Sequence, residues 1–425
     1  MKNLSAIILL FIANSISGIS QGISMIAIPW YFAMQDEMTT FGIIYILTNV
    51  LGFFWVPYGG TLVDKYNRKH IFMFITVISG LLLAGVSAWG FHQEGLHLWL
   101  VGFVFMFTFS NYNIHYPNLY AFVQEISEKE KYGSISSYIE IQGQSTNILA
   151  GAGAALLLEG SSDGIFNLLG FSVSTGWEFE AWQIHEIFAL DAGTYALGFI
   201  FIALIKYTPL APRRIETGPI LERLKTGMRY LTNNLKILVF GMGSHSVFAA
   251  SIITTMFLAP IYVKNHLMES GDIYASGKMY FAIGSVLSGI AIRQIFKRIN
   301  IPLSIIILTS VAIVAYAVLS INTVDILFYL MSFMLGMANA GIRVQRVTYL
   351  FMHIPNQVYG RATSIFTQIN TLFRILFLSL FSLAFFQKGH EIIYAFAILS
   401  LFLILTIGVL IKNYKTLDVD RKNSI

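Results

Sequence analysis

Stretches of about 20 apolar residues recur along the whole of this chain, and ~20 residues at 1.5 Å each is the length an α-helix needs to cross ~30 Å of hydrocarbon. No other feature restricts the fold so hard. In lipid every backbone N–H and C=O must be satisfied internally, which leaves only helices and closed barrels. Composition points the same way: 56% of the 425 residues are hydrophobic and 12% charged, against roughly 25% charged in a soluble domain. The chain is expected to be an all-α polytopic membrane protein.

It has no cysteine, which excludes disulfide frameworks, thiolate metal sites and cysteine nucleophiles. The N-terminal MKNLSAIILLFIANSISGISQGISMIAIPWYF is too long for a signal-peptide core and is read as the first span, retained. The net charge of +5 needs no nucleic-acid partner, because its distribution follows membrane topology.

Hydropathy places twelve helices near 5–33, 40–62, 70–91, 98–124, 133–158, 184–208, 235–263, 275–296, 301–321, 325–351, 359–386 and 391–412. The expected division is an N-terminal six-helix bundle (1–208), a cytoplasmic central loop (209–234), a C-terminal six-helix bundle (235–412) and a cytoplasmic tail (413–425). An even number of spans puts both termini on one side. With the termini inside, the cytoplasmic segments carry Lys2, Lys65, Arg68, Lys69, Lys129, Lys131, the run from Lys206 to Lys236, Arg293, Lys297, Arg298 and Arg361. The opposite face carries only Lys264, Lys278 and Lys388. The positive-inside rule fixes this orientation. The outer segment 159–184 has no Lys or Arg and is read as a short interfacial helix with Trp177 and Trp182 at headgroup level.

Two pairs of segments suggest a parallel internal duplication. GTLVDKYNRK after span two matches GIAIRQIFKR after span eight, and NYNIHYPNL…KYGSISS across spans four and five matches NAGIRVQRV…VYGRATS across spans ten and eleven.

GTLVDKYNRK resembles the signature loop of the major facilitator superfamily. ALDAGTYALGFIF, LKTGMRYLTNN, IHYPNLYAFV and YGRATSI extend the resemblance over essentially the whole chain, toward the exporter branch that includes macrolide efflux pumps and the enterobactin exporter. It implies twelve transmembrane helices in two pseudo-symmetric six-helix bundles around a cavity lined by spans 1, 4, 7 and 10. It also implies a monomer that moves a small molecule through the lipid bilayer, with protons as the expected driving ion. In the signature loop, Gly60 would allow close packing, Asp64 would face the start of span eleven near Arg361, and Arg68 would help hold a cytoplasmic gate. Lys69 is read as an ordinary positive-inside residue.

Polar residues within the spans follow helical spacing. Span one carries Asn14, Gly18 and Gln21; span four Asn111, His115 and Asn118; span five Glu140, Gln144 and Asn147. Span ten carries Gly336, Asn339, Arg343 and Arg346, and span eleven Thr363, Thr367, Asn370 and Arg374. Spans three, nine and twelve have no ionisable residue in their middles. Intramembrane ionisable groups are functional candidates by default.

Gln21, His115, Asn147, Asn339, Arg343, Arg346 and Arg374 are therefore the candidate substrate contacts. Arg343 lies about ten residues (~15 Å) from the cytoplasmic end, too deep to snorkel easily; Arg346, one turn nearer, is read as substrate contact, gate or snorkelling residue. Glu140 and Asp191 are the candidate proton carriers. Glu140 is the stronger of the two, with a fixed salt bridge to Arg343 or Arg374 as its alternative; Asp191 is read first as structural, capping or hydrogen bonding to a neighbouring helix, with proton coupling as the alternative.

Two departures weigh against proton antiport: span four has no arginine, and span five has no proline beside Gly151 and Gly153. No GxxxxGK[ST] phosphate loop occurs, the histidines lack metal-ligand spacing, and no nucleophile–base pair is visible, so neither an enzyme nor a resident cofactor is expected. The reading is an exporter of a small amphiphilic molecule in the bacterial inner membrane. The alternative is a carrier for an anionic solute (siderophore, carboxylate, phosphate ester or lysolipid) held by the arginines, whose forks suit such groups.

Overall fold

A computed structural model describes residues 3–128, 131–161, 163–174, 176–209, 220–296 and 298–417. The chain divides into two compact units, Met1–Thr217 with Ser270–Met279, and Gly218–Glu269 with Tyr280–Ile425.

The first unit holds α1 (Leu4–Met34), α2 (Met38–Lys65), α3 (Arg68–Gln93), α4 (Leu98–Ile126), α5 (Tyr132–Glu159) and α6 (Ile184–Leu204). In it α6 packs on α1 and α3, α5 packs on α1, and α2 packs on α4. Small residues set the close approaches, as membrane helices require in the absence of a hydrophobic drive. Gly22 on α1 sits where a Cβ would run into Ala150 of α5, while Gly153 of α5 accepts the side chain of Ile23 on α1.

The second unit begins with α7 (Ile220–Asn233), an amphipathic helix within the segment read as the central loop. The next span starts as α8 (Leu235–Ile253) and runs on through two π turns, Thr254–Leu258 and Tyr262–Leu267, on either side of the short α9 (Ala259–Ile261). Then follow α10 (Gly271–Ile295), whose first turns fall in the first unit, α11 (Ile301–Leu319), α12 (Asp325–His353), α13 (Asn356–Phe381) and α14 (Ile393–Leu417). Gly284 on α10 and Gly336 on α12 sit where a Cβ would meet the other helix's backbone, and Ser285 Oγ donates to Gly336 O at 3.1 Å.

Ten helical segments among the described residues are long and apolar enough to cross a membrane. The other two long helices, α4 with 29 residues and α5 with 28, have the length; Asn111, Asn113 and His115 on one and Gln142, Gln144 and Asn147 on the other lower their hydropathy.

The helix expected at 159–184 is not there. Ile165–Leu168 (β1) and Phe171–Ser174 (β2) form an antiparallel hairpin. Leu169 and Gly170 both have positive φ (57° and 80°), the two-residue reversal that matches the twist of hairpin strands. Gly164 and Gly176, also at positive φ, bend the chain into and out of the hairpin. Trp177 is 76% exposed.

Candidate functional site

The polar centre of the first unit is built from α1, α3, α4 and α6. Gln21 and Ser24 are three apart on α1, and Asp191 and Tyr195 four apart on α6, so each pair shares a helix face. Where those faces meet, Gln21 Nε2 donates to Tyr195 Oη at 2.8 Å and Ser24 Oγ donates to Asp191 Oδ2 at 2.8 Å. Asn111 Nδ2 on α4 donates to Ser79 Oγ on α3 at 2.7 Å, and Ser79 is also hydrogen bonded to Tyr195. Asp191 is 1% exposed and its Oδ1 has no hydrogen-bond partner among the described residues. The hydrogen bond to a neighbouring helix that the sequence suggested for Asp191 is present, and one carboxylate oxygen is left over.

One turn further along, His115 Nε2 lies 2.7 Å from Asn14 Oδ1, and Asn14 Nδ2 donates to Gln142 Oε1 at 3.1 Å. Asn14, Gln21, Asn111, His115 and Tyr195 all line one internal cavity of about 20 Å³, room for a single water molecule. Gln21 and His115 are thus brought together, with Asp191 bonded one turn from Gln21. Glu140 and Asn147 are not part of this cavity. Glu140 Oε1 accepts from Gln144 Nε2 on its own helix at 3.2 Å, and Asn147 is exposed at the surface of α5.

In the second unit the arginines differ. Arg346, 8% exposed, donates through Nη1 to Ser244 O on α8 at 3.0 Å. Arg374 Nη2 donates to Thr371 Oγ1 on its own helix at 3.0 Å. Arg343 and Asn339 are half-buried on α12. Beside Arg346, His245 Nδ1 is 2.7 Å from Gly241 O, and Asn370 Nδ2 donates to His245 O at 3.3 Å, joining α8 to α13.

The gate candidates are resolved in part. Gly60 and Asp64 lie on the last turns of α2, but the surroundings of Gly60 and the side chain of Asp64 are outside what the structure describes. Arg68 Nη1 bonds Glu125 Oε2 at 2.8 Å and Ala121 O at 2.9 Å, and Tyr207 Oη donates to Glu125 Oε1 at 3.2 Å. Arg68 thereby ties α3 to α4 and to the chain leaving α6. Arg361, near the start of α13, faces Gly227 of α7, where a Cβ would meet the Arg361 carbonyl; Tyr230 Oη adds a bond to His353 O at 3.2 Å.

Two positions correct the sequence reading. Lys69 is no ordinary solvated lysine: its Nζ donates to Ala203 O at 2.8 Å and Ile205 O at 2.9 Å, satisfying carbonyls that the end of α6 leaves open. Lys278, counted with the outer face at the very start of the span expected from 275, lies about two turns inside α10, which begins at Gly271. Its ammonium sits 5.3 Å from the Tyr274 ring, which stacks on Trp30 with centroids 5.9 Å apart. Sequence reasoning also missed Ser24, Tyr195, Ser79 and Gln142. The i, i+3 and i, i+4 pairings with Gln21 and Asp191 were the available signal for the first two.

This is a polytopic helical membrane protein with polar groups gathered inside its bundles, and among the described residues no group of three or more His, Asp or Glu could hold a metal. Comparison with known proteins names the class. The Major Facilitator Superfamily profile matches residues 10–378, and the chain belongs to that superfamily. Among solved structures it is similar to the nucleoside transporter NupG (TM-score 0.71, 14% identity, 96% of this chain and 99% of that one). It is similar also to a bacterial homologue of the human lysosomal transporter Spinster (TM-score 0.69, 12% identity, 96% of each chain) and to a D-xylose–proton symporter (TM-score 0.64, 12% identity, 96% and 97%). No curated protein sequence matches it. The fold is the all-α major facilitator fold, and the protein is a secondary transporter of small molecules, not an enzyme.

Proposed function

We propose that this transporter exports a small amphiphilic molecule across the bacterial inner membrane by alternating access, as a monomer with both termini cytoplasmic, and that protons drive it through Asp191. The observation that carries the coupling is the Asp191 carboxylate, buried inside the first unit with one oxygen unpartnered and no ion pair to Lys or Arg among the described residues. Burying an isolated charge is costly, so a carboxylate so placed is suited to carrying a proton in one state and releasing it in another. Glu140, hydrogen bonded to Gln144, is the second candidate. The exporter assignment rests on the sequence resemblance of the DAGTY, YGRATS and LKTGMRY segments.

The test is uptake by inverted membrane vesicles under an imposed pH gradient, with Asp191→Asn and Glu140→Gln measured beside the unaltered protein. Loss of gradient-driven uptake in Asp191→Asn with substrate binding retained supports the reading; unchanged uptake removes Asp191 from the mechanism.

A second reading, transport of an anionic solute, has its own observation. Arg343, Arg346 and Arg374 lie on α12 and α13, and the only acidic residues from α8 to α14 are Glu269, Asp272, Asp325 and Glu391, all at or beyond helix ends. Thermal stabilisation of the purified protein by a panel of anionic and cationic amphiphiles separates the readings. Stabilisation by anions that Arg343→Ala abolishes favours the second; stabilisation by cations that Arg343→Ala leaves unchanged removes it.

A further inference from the structure

A cavity of about 450 Å³ opens at the end of the first unit that carries the β hairpin. Its walls come from the last turns of α1, the α3–α4 loop, the end of α5 and the start of α6. Trp30, Tyr31 and Trp182 are its aromatic walls, Ile184 part of its apolar floor, and Glu94 and Glu159 its two carboxylates. Its size falls in the ~300–1,000 Å³ range of small-molecule sites, and all its lining residues belong to one compact unit.

The walls are held in place. Trp30 is buried and backed by the Tyr274 ring at 5.9 Å. Tyr31 Oη donates to Leu96 O at 2.7 Å, and the Trp182 backbone N–H donates to Leu157 O at 2.8 Å. Glu159 Oε1 accepts from the Gly271 N–H at 2.5 Å, which fixes its position while Oε2 keeps acceptor capacity. Glu94 stands at an exposed turn with φ 54°.

The charged side chains that line the cavity, Glu94 and Glu159, have one sign. Asp36 and Glu37 follow α1, Glu186 lies in the first turn of α6, and the segments 35–37, 94–97 and 160–183 contain no Lys or Arg. Lys278 is not among the lining residues. Such a field attracts cations and repels anions before contact, and aromatic faces bind a poorly hydrated cation while excluding a strongly hydrated metal ion.

We propose that this pocket binds an organic cation, an ammonium or phosphonium carrying apolar or aryl substituents. Trp30, Tyr31 and Trp182 take the substituents, and Glu94 and Glu159 balance the charge. The site is separate from the Asp191 cluster and does not depend on which solute is carried or on what drives it.

The experiment is equilibrium binding of tetraphenylphosphonium to the purified full-length protein in nanodiscs, with tetraphenylborate as the probe of the same shape and opposite charge. Tetraphenylphosphonium is expected to bind at least about tenfold more tightly than tetraphenylborate, and the double variant Glu94→Gln/Glu159→Gln to lose about tenfold of that affinity. Trp182→Ala should weaken binding and Trp182→Phe restore part of it, while Asp191→Asn binds like the unaltered protein. Glu94→Gln alone, at an exposed turn, serves if the double variant does not fold. Equal binding of the two ions overturns the proposal. So does phosphonium binding that survives the Glu94 and Trp182 changes and is lost in Asp191→Asn, since the cation would then occupy the Asp191 cluster.

Discussion

The two units treat interior charge differently. The first pairs one of its cations, Arg68, with Glu125 within its own bundle at 2.8 Å, the two side chains 12% and 1% exposed, and holds another, Lys278, beside the Tyr274 ring. It also keeps an unmatched carboxylate, Asp191. The second buries Arg346 against a backbone carbonyl and has no acidic residue in the middle of any span. The two units therefore do not share one electrostatic pattern. Uncompensated charge inside a membrane protein is expensive and persists where function requires it, so the negative site of one half and the positive site of the other are the places to look for ion and solute. The paired Arg68–Glu125 bridge is scaffold by the same reasoning.

The contrast breaks first at Asp191. Replacing it with Asn keeps the Ser24 hydrogen bond in shape but removes the exchangeable proton. Proton-gradient-driven transport should fall to background, with binding measured by thermal stabilisation intact. Retained coupling would make Asp191 a structural residue and the asymmetry incidental.

Arg68→Ala is the matching test of the scaffold. Removing one partner of a buried ion pair strands the other, a loss of about 3–5 kcal/mol. Glu125 would keep the Tyr207 hydroxyl and lose its cation. Unfolding in detergent should show a large drop in stability, and the double change Arg68→Met/Glu125→Leu should recover most of it. A double variant as unstable as the single one would show that the bridge does more than hold α3 to α4.

Arg346 should behave in the reverse sense. With Ser244 O as its one hydrogen-bond partner among the described residues, its charge gains little from its surroundings, so Arg346→Met should leave thermal stability unchanged or raised by about 1–3 kcal/mol while abolishing transport. Stability and transport falling together would class Arg346 with Arg68.

Most of the fold could be read from the sequence, because hydropathy registers what lipid demands and little else. The two long helices with the weakest apolar stretches, α4 and α5, are the ones dense in Asn, Gln and His, and the amphipathic α7 fell within the segment read as the central loop. The hairpin at 165–174 was misread because aromatic and apolar residues at an interface suit a helix or a strand equally. The glycines at 164, 170 and 176 were the overlooked sign. Side-chain partners were less legible. Gln21 and Tyr195 are 174 residues apart, and no local pattern says which face of α6 meets which face of α1. Asp191 was visible as a buried carboxylate, whereas its leftover oxygen depends on packing that only three dimensions supply. The depth of Lys278 was missed because α10 starts near Gly271, four residues before the span assigned from hydropathy.

The smallest effect lies at Lys69, and it tests whether the ordinary-looking basic residues of the signature loop are merely topological. Asn67 caps α3 by accepting from the backbone N–H groups of Lys69 and His70 at 3.0 and 3.2 Å, which fixes where the Lys69 side chain starts. From there its ammonium reaches the Ala203 and Ile205 carbonyls, at the end of α6 where the helix dipole is negative. Lys69→Met keeps the aliphatic stem and removes both bonds, so about 1 kcal/mol of stability should be lost. Lys69→Arg, with a donor fork of similar reach, should restore most of it. Asp191 lies on the same helix, about four turns before Ile205, so the change should leave proton-driven transport within about twofold if α6 is pinned mainly by its contacts with α1 and α3. A much larger loss would mean that the cap sets the position of the Asp191 carboxylate, joining the scaffold and the candidate proton site that the Arg68 and Asp191 variants are meant to separate.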